Sequence, residues 1–283
     1  MSAPPRRIGD GLATATVWSA ALLVTGMFAW LLGDLARHGI ARVDWALFTT
    51  APRQAGRAGG IAPILVSTLL IVGVCLAVAV PVGLGTAIAL AEYAPAHGRF
   101  GRVVRRSLDV LAGVPSIVFG LFGNVLFCRL LGLGFSILSG GLTLACMVLP
   151  ILIRAAEEGL RSVPEEYRHG AAALGLSRYT TLRRVLLPAA LPGLTAGLVL
   201  GIGRALAETA ALLFTSGYVD RTPSSLMDSG RALSVHIFDL SMNVPGGDQS
   251  AYASALVLVL LLLIINSAAS RLAEAALGRR VVR

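Results

Sequence analysis

The sequence contains no lysine, and its 24 basic residues are all arginines. A P-loop needs a lysine that reaches the β- and γ-phosphates of ATP. This chain therefore cannot hold an ATP site of that kind, and any ATP-driven step must take place on a partner. Because the sequence also shows no catalytic constellation and no histidines spaced for a metal site, we predict neither enzyme activity nor a cofactor on this chain.

Charge is scarce as well. Only 14% of the 283 residues are charged, whereas soluble domains carry about a quarter. Apolar runs of about 20 residues, each long enough to cross a bilayer, recur along the chain. This pattern predicts an all-α membrane protein with six transmembrane helices. We place the spans at residues 12–33, 61–91, 108–131, 139–155, 191–216 and 251–271.

Cysteine is rare, and Cys75, Cys128 and Cys146 all lie in apolar runs, where they are typical packing residues. The loops contain no cysteine, so no disulfide framework is predicted. A cleavable signal peptide is not indicated, because the apolar run that follows Arg6 and Arg7 is too long and no small-residue cleavage site comes after it. We interpret this run as the first, uncleaved span.

The arginines are distributed unevenly between the two sides of the predicted spans. The N-terminus, the 92–107 loop, the 154–190 loop and the C-terminal tail hold two, four, six and four of them, 16 in all. The opposite loops, 34–60, 132–138 and 217–250, hold four, none and two. Since arginine-rich loops remain in the cytoplasm, we predict a multi-pass membrane protein with both termini in the cytoplasm.

The polar segment 156–190 is predicted to form a helix–turn–helix. Ser162, with a glutamate three residues later, fits a capping box at the start of the first helix. Gly175 suits the end of that helix, and Ser177 suits the cap of the second. Apolar residues of the two helices are expected to pack together, namely Ala171 and Leu174 with Leu182, Val185 and Leu186.

Three roles can be weighed for this segment. A DNA-binding helix must enter a groove about 8.5 Å deep, but here membrane spans begin within a few residues and four glutamates lie in the loop. We therefore predict no nucleic-acid partner. A solvated linker does not require two capped helices. The pattern favours a docking element for a cytoplasmic partner.

The spacing in this loop matches a known pattern in part. Gly175 is followed by nine residues and then by Val-Leu-Leu-Pro at 185–188. This loop resembles the cytoplasmic loop of permease subunits of binding-protein-dependent ABC importers. In that family the loop has Glu-Ala-Ala, then three residues, a Gly, nine residues and Ile-x-Leu-Pro. His169-Gly170-Ala171 replaces Glu-Ala-Ala here, so one polar contact of the family is missing. The resemblance implies a coupling helix that contacts the ATPase through His169, Gly170, Ala171, Gly175, Leu182, Val185 and Pro188.

Several longer stretches resemble the phosphate-specific transport permeases. They are GGIAPILVSTLL (59–70), AIALAEYAP (87–95), LAGVPSIVFGLFG (111–123), GRALAETAALLFTSG (203–217) and SVHIFDL (234–240), and the last two favour the A-type subunit over its C-type paralogue. The resemblance implies the type I ABC importer permease fold. We accordingly expect an N-terminal tail, first helix and external loop at 1–58, a permease core at 59–271 with its coupling loop at 156–190, and a C-terminal tail at 272–283.

The same resemblance implies partners. They are a cytoplasmic ATPase dimer that holds ATP and magnesium, a second permease subunit, usually a paralogue, and an extracytoplasmic phosphate-binding protein. The expected mechanism is alternating access, in which nucleotide-driven motion of the coupling loop changes the side to which a cavity between the two permeases opens.

The fifth predicted span contains an unusual charge pair, Arg204 and Glu208, spaced i,i+4. Gly193, Gly197 and Gly201 precede them at every fourth residue and allow another helix to approach closely. The pair can simply neutralise itself. Alternatively, Arg204 contacts the anion in the path, because its planar fork suits phosphate, and Glu208 positions it. The phosphate family has an Arg and a Glu at matching positions. Further path candidates are Thr209, and Ser116 if a break after the preceding proline exposes backbone N–H groups.

Other functions remain as alternatives. An importer for sulfate, molybdate or phosphonate would share the loop. A secondary transporter or channel acting without an ATPase would be expected to carry several intramembrane acids and a second pseudo-symmetric half. The sequence has one deep carboxylate and no evident repeat.

Overall fold

The computed structural model describes residues 8–94 and 98–281. Almost all regular structure within these ranges is helical, which confirms the all-α prediction. Arg6, Arg7 and Arg283 of the predicted tails lie outside these ranges. The elements are α1 (Ile8–Gly39), α2 (Trp45–Thr49), β1 (Pro52–Arg53), β2 (Ala58–Gly59), α3 (Ala62–Ile88), α4 (Arg99–Ala112), α5 (Ser116–Gly123), α6 (Ile137–Arg161), α7 (Glu165–Ala173), α8 (Arg178–Thr181), α9 (Leu187–Ala189), α10 (Leu191–Ala207), α11 (Ala210–Leu213), α12 (Leu233–Met242) and α13 (Asp248–Val281).

Some of these helices continue beyond their α-helical part into π-helical turns, which carry one extra residue per turn and are frequent at functional sites. They extend α3 through Ala89–Tyr93, α5 through Asn124–Leu130 and α8 through Leu182–Leu186. The helix that begins at Ala62 therefore continues to Tyr93 without a break at Pro81.

Within the described residues, four helical segments are long and apolar enough to cross a membrane, and two bent pairs would raise the number to six. The four are Ala13–Arg42, Ala62–Tyr93, Ile137–Arg161 and Asp248–Arg271. The bent pairs are Arg99–Ala112 with Ser116–Leu130, at 103°, and Arg178–Ala189 with Leu191–Ala207, at 67°.

The predicted span at 108–131 is wrong as a single helix. Helix α4 ends at Ala112, and α5 begins at Ser116 after Pro115, with a bend of 103° between them. Proline has no amide hydrogen and disfavours helical geometry at the residue before it, so the chain can change direction here. Helix α4 therefore lies across the end of α5.

The boundaries of the predicted fourth and fifth spans also differ from those in the structure. Helix α10 ends at Ala207, and Glu208 is extended, with φ −75° and ψ 129°. The predicted continuous helix over 191–216 is therefore wrong. The predicted span 139–155 is too short, because α6 begins at Ile137 and continues to Arg161.

The core forms where α6 packs against α3 on one side and α10 on the other. Its buried side chains include Ile71 from α3, Leu144 and Val148 from α6, and Ile202 and Leu206 from α10. Helix α13 covers α10, and α1 contacts the chain mainly through α13. The helices that carry the candidate site are thus held by the central α6.

The expected close approach at the glycine stripe of α10 is confirmed. A Cβ atom on Gly193 would lie 2.6 Å from the Cα atom of Gly159, and one on Gly197 would lie 2.6 Å from the Cβ atom of Ala155. Both distances are too short for a side chain, so α10 meets α6 almost backbone to backbone. The partner helix in this contact belongs to the same chain.

The outward surface of α1 is strongly apolar. Large side chains along it are more than 60% exposed, namely Val17, Trp18, Leu22, Phe28 and Trp30. Soluble monomers rarely expose an apolar surface of this extent. A bilayer or another membrane subunit must cover it, in agreement with the prediction of a membrane protein.

Candidate functional site

The chain leaves helical geometry between α10 and α11, and most of the predicted path residues lie at this break. Arg204 is in the last turn of α10, Glu208 is the first residue beyond it, and Thr209 directly precedes α11. The Arg204 side chain is exposed, Thr209 is half-buried and Glu208 is buried.

Arg204 and Glu208 do not form the direct ion pair that an i,i+4 spacing on one helix would allow. The helix ends between them, and the i,i+4 relation that would bring the two side chains together is lost. Glu208 instead accepts a hydrogen bond from the backbone N–H of Ala211, at 3.1 Å. Among the described residues, Arg204 has no hydrogen-bond or ion-pair partner. The interpretation in which the two charges only neutralise each other therefore loses its basis.

Ser116, the remaining path candidate, is half-buried at the first position of α5. Helix α11 packs on α5 one turn later, where a Cβ atom on Gly120 would lie 2.8 Å from the Cα atom of Ala211. The side-chain amide of Asn124 also donates a hydrogen bond of 2.7 Å to the carbonyl of Phe214. These contacts place the first turns of α5 and the break after α10 in one region of the molecule.

The segment between α6 and α10 does fold as a helix–turn–helix. Gly175 has φ +70°, a left-handed conformation that glycine adopts without strain. It ends α7 in a Schellman motif, in which the N–H of Leu176 reaches the carbonyl of Ala171 at 3.0 Å. The hydroxyl of Ser177 accepts a hydrogen bond from the N–H of Thr180 at 3.2 Å and caps α8. The predicted positions of Gly175 at the end of the first helix and of Ser177 as the cap of the second are confirmed.

Two details of the predicted loop are wrong. Ser162 does not cap α7, because α6 extends to it and its hydroxyl donates to the carbonyl of Gly159 at 2.9 Å. Pro164 precedes α7 in its place. Leu174 is 79% exposed instead of packed between the helices. The other expected packing residues are buried or half-buried, namely Ala171, Leu182, Val185 and Leu186.

The outer side of this loop carries a set of exposed side chains that we name the loop surface. It contains aromatic and aliphatic groups beside a histidine, namely Tyr167, His169, Leu174, Leu176 and Tyr179. Of the remaining predicted docking residues, Gly170 and Gly175 are exposed and Pro188 is half-buried. Exposed apolar side chains at a capped turn are typical of a protein interface.

Arg168 fixes this loop to the spans, a function that the sequence did not reveal. Its guanidinium forms an ion pair with Glu92, at the end of the helix that contains α3, with a shortest N–O distance of 2.7 Å. It also donates to the carbonyls of Leu160 and Val163, at 3.1 and 2.9 Å. One side chain thus joins α7 to the ends of two spans.

A second buried carboxylate, Glu157 on α6, joins the same ends of the spans. It accepts hydrogen bonds from Nε of Arg105 at 2.7 Å and Nε of Arg161 at 3.0 Å. Both arginines also donate to the carbonyl of Leu90, at 3.0 and 3.3 Å. The spacing of Glu157 and Arg161 was visible in the sequence, but Arg105 lies 52 residues away and only the bend before α5 brings it near.

The sequence is similar to a known family and to individual transport proteins. The sequence pattern of the family described as "Binding-protein-dependent transport system inner membrane component" matches residues 79–282. The chain is 35% identical over 283 residues to the phosphate transport system permease protein PstA 1 of Mycobacterium tuberculosis (strain H37Rv), covering 97% of this chain and 91% of that protein. It is 31% identical over 279 residues to the probable ABC transporter permease protein YqgI of Bacillus subtilis (strain 168), covering 93% and 95%.

Solved structures share the fold at lower sequence identity. An inward-facing structure of the MetNI methionine ABC transporter matches with a TM-score of 0.58 at 18% identity, over 77% of this chain and 94% of that one. A bacterial ABC transporter involved in the import of the acidic polysaccharide alginate matches with a TM-score of 0.58 at 15% identity, over 95% of this chain and 99% of that one.

Proposed function

Because this chain belongs to the family of binding-protein-dependent transport system inner membrane components, we propose that it is a permease subunit that carries inorganic phosphate across the cytoplasmic membrane in an ATP-driven importer. Phosphate is favoured over sulfate, molybdate and phosphonate by the names of the relatives in Mycobacterium tuberculosis and Mycobacterium leprae, which are phosphate transport permeases. A secondary transporter or channel acting alone is not favoured by membership of this family.

The observation that carries the proposal is the unpaired guanidinium of Arg204. Counted from Leu191, this residue lies about 20 Å along α10, within a hydrocarbon layer about 30 Å thick. A bare charge there costs roughly 2.5–3.5 kcal/mol on insertion scales and normally faces a water-filled path or a partner. Since no described residue neutralises Arg204, we assign it to the wall of the path as an anion contact. Thr209 and Ser116 are hydrogen-bond donors in the same proposed path, and Glu208 fixes the break through its hydrogen bond to Ala211.

The proposed mechanism also includes a topology and partner subunits. Each bent pair counts as one span, which gives six spans with both termini in the cytoplasm. The loop surface docks on an ATPase subunit that holds ATP and magnesium, and Arg168 passes its motion to the spans. A second permease, expected to be a paralogue, forms the other half of the path, and a phosphate-binding protein delivers the anion from outside.

Uptake of radiolabelled phosphate, with sulfate and molybdate in parallel, tests the substrate. Cells that lack this gene should lose phosphate uptake and regain it on complementation, while uptake of the other two anions stays unchanged. A defect confined to sulfate or molybdate would keep the importer and replace its substrate. Failure of an ATPase subunit to co-purify with the tagged chain would contradict the importer itself.

The proposed orientation can be tested by cysteine labelling, because the native Cys75 and Cys128 are buried and Cys146 lies within a span. Leu174 and Met242 are similarly exposed, at 79% and 72%, on opposite proposed sides. In intact cells that express this chain without the ATPase subunit, a membrane-impermeant maleimide should label Met242→Cys and leave Leu174→Cys unlabelled until the membrane is opened. The unsubstituted protein gives the background, and the reverse pattern would invert the orientation.

A further inference from the structure

Helix α4 presents three different faces. Gly101 and Leu108 are buried against the rest of the chain. With about 100° of rotation per residue, the large exposed apolar side chains occupy an arc of about 100°, and the three exposed arginines an adjacent arc of about 60°. The apolar residues are Phe100, Val103, Val110 and Leu111, and the arginines are Arg99, Arg102 and Arg106.

The orientation of α4 relative to α5 places these faces at a membrane surface. The two helices are bent by 103° relative to each other, and in the proposed six-span topology Ser116–Leu130 is the part of this pair that crosses the bilayer. If this segment crosses the bilayer with the usual tilt of about 20°, α4 lies close to the membrane plane. A helix in that position, with apolar and basic sectors side by side, is typical of the boundary between headgroups and acyl chains.

The charges on this face need a partner of opposite sign. Arg99 and Arg106 are exposed and make no hydrogen bond or ion pair with any residue in the described ranges. On the proposed orientation, they lie at the cytoplasmic leaflet, where anionic lipids concentrate. Their charge is therefore complementary to the surface on which the helix lies.

An apolar groove begins beside the same helix. It has a volume of about 470 Å³ and runs between α4, α5 and α6. Leu108 and Leu111 line it from α4, Phe122 from α5, and Leu149 and Ile153 from α6. Leu111 belongs both to this groove and to the exposed apolar arc, so the apolar surface is continuous from the helix into the groove.

We propose that α4 is a binding site for an anionic phospholipid of the cytoplasmic leaflet. The lipid phosphate contacts Arg99 and Arg106, and an acyl chain lies along Leu111 in the groove between α4, α5 and α6. The site is separate from the phosphate path, and it depends on the proposed orientation but on neither the substrate nor ATP.

The test is lipid titration of the full chain, purified in mild detergent with the subunits that accompany it and observed by native mass spectrometry. The probes are phosphatidylglycerol and phosphatidylcholine with identical acyl chains. Each arginine near an anionic surface adds about fivefold to affinity, so Arg99→Gln/Arg106→Gln should bind phosphatidylglycerol roughly 30-fold more weakly while its binding of phosphatidylcholine is unchanged. A control variant, Arg53→Gln/Arg221→Gln, removes two exposed arginines from the opposite proposed side and should bind as the unaltered chain does.

Several results would overturn the proposal. Equal affinity of the unaltered chain for the two lipids would remove the anionic site. Equal weakening by the two double variants would indicate a general effect of net charge. Loss of an accompanying subunit from Arg99→Gln/Arg106→Gln, with phosphatidylglycerol binding unchanged, would make α4 a subunit contact. Since no transport is measured, the outcome is independent of whether the chain carries phosphate.

Discussion

Replacement of Arg204 with glutamine is expected to lower phosphate uptake by about 10- to 100-fold. A hydrogen bond to a charged group contributes roughly 1.5–3 kcal/mol, and glutamine keeps a polar side chain but loses the charge and the two parallel donors. Because Arg204 has no partner among the described residues, its loss breaks no internal contact. Protein levels in the membrane and basal ATP hydrolysis by the purified complex should therefore remain close to normal.

The matched control for this experiment is Leu200→Gln. Leu200 lies one turn earlier on α10 and is 60% exposed, so the same glutamine is placed on a neighbouring part of the helix surface. Arg204→Lys should restore uptake in part, since lysine keeps the charge without the planar fork. Normal uptake by Arg204→Gln would make this arginine a structural residue, and equal loss in Arg204→Gln and Leu200→Gln would indicate a defect of the helix face as a whole.

The second large effect is expected at the loop surface. Leu174 and Tyr179 are 79% and 65% exposed, and burying a large apolar side chain stabilises an interface by roughly 1.5–3 kcal/mol. In the double variant Leu174→Asp/Tyr179→Asp, two carboxylates would also have to lose their hydration on docking to the ATPase. Its affinity for the ATPase subunit should fall by at least about 100-fold, so that the ATPase no longer co-purifies and uptake stops.

This variant also has a matched control on the opposite proposed side. Met242→Asp introduces a carboxylate at a position that is 72% exposed, and the ATPase should still co-purify with it. Retention of the ATPase by the Leu174/Tyr179 variant would show that the helix–turn–helix has another role. Loss of the ATPase from both variants would indicate a general folding defect.

The features that could be predicted from the sequence are those set by local chemistry. Hydropathy locates the membrane helices, because a span needs a continuous apolar run. Gly175 and Ser177 mark the turn between α7 and α8, because a left-handed glycine and a serine cap act within a few residues. The bend at Pro115 had its own signal, a proline within an apolar run, but its angle depends on packing.

The features that were missed depend on contacts between distant parts of the chain. No glycine or proline lies at Glu208, and the break there accompanies the packing of α11 on α5 at Gly120. For the same reason the separation of Arg204 from Glu208 could not be predicted. The pairing of Arg168 with Glu92 joins residues 76 positions apart. The exposure of Leu174 was missed because α7 ends at Ala173, so Leu174 is the C-cap residue and lies outside the helical turn that packs Ala171 against the second helix.

The bare contact between Gly159 and Gly193 has a mechanical consequence. No side chains interlock at this point, so the angle between α6 and α10 can change here without a change of rotamer, while Ile202 and Leu206 further along α10 would shift within the core. Gly193 lies at the start of α10, and Arg204 lies eleven residues further along, about 16 Å away. A tilt of roughly 10° at this point would move Arg204 by about 3 Å. A small change of angle where α10 leaves the loop would thus shift Arg204 by about the length of a hydrogen bond.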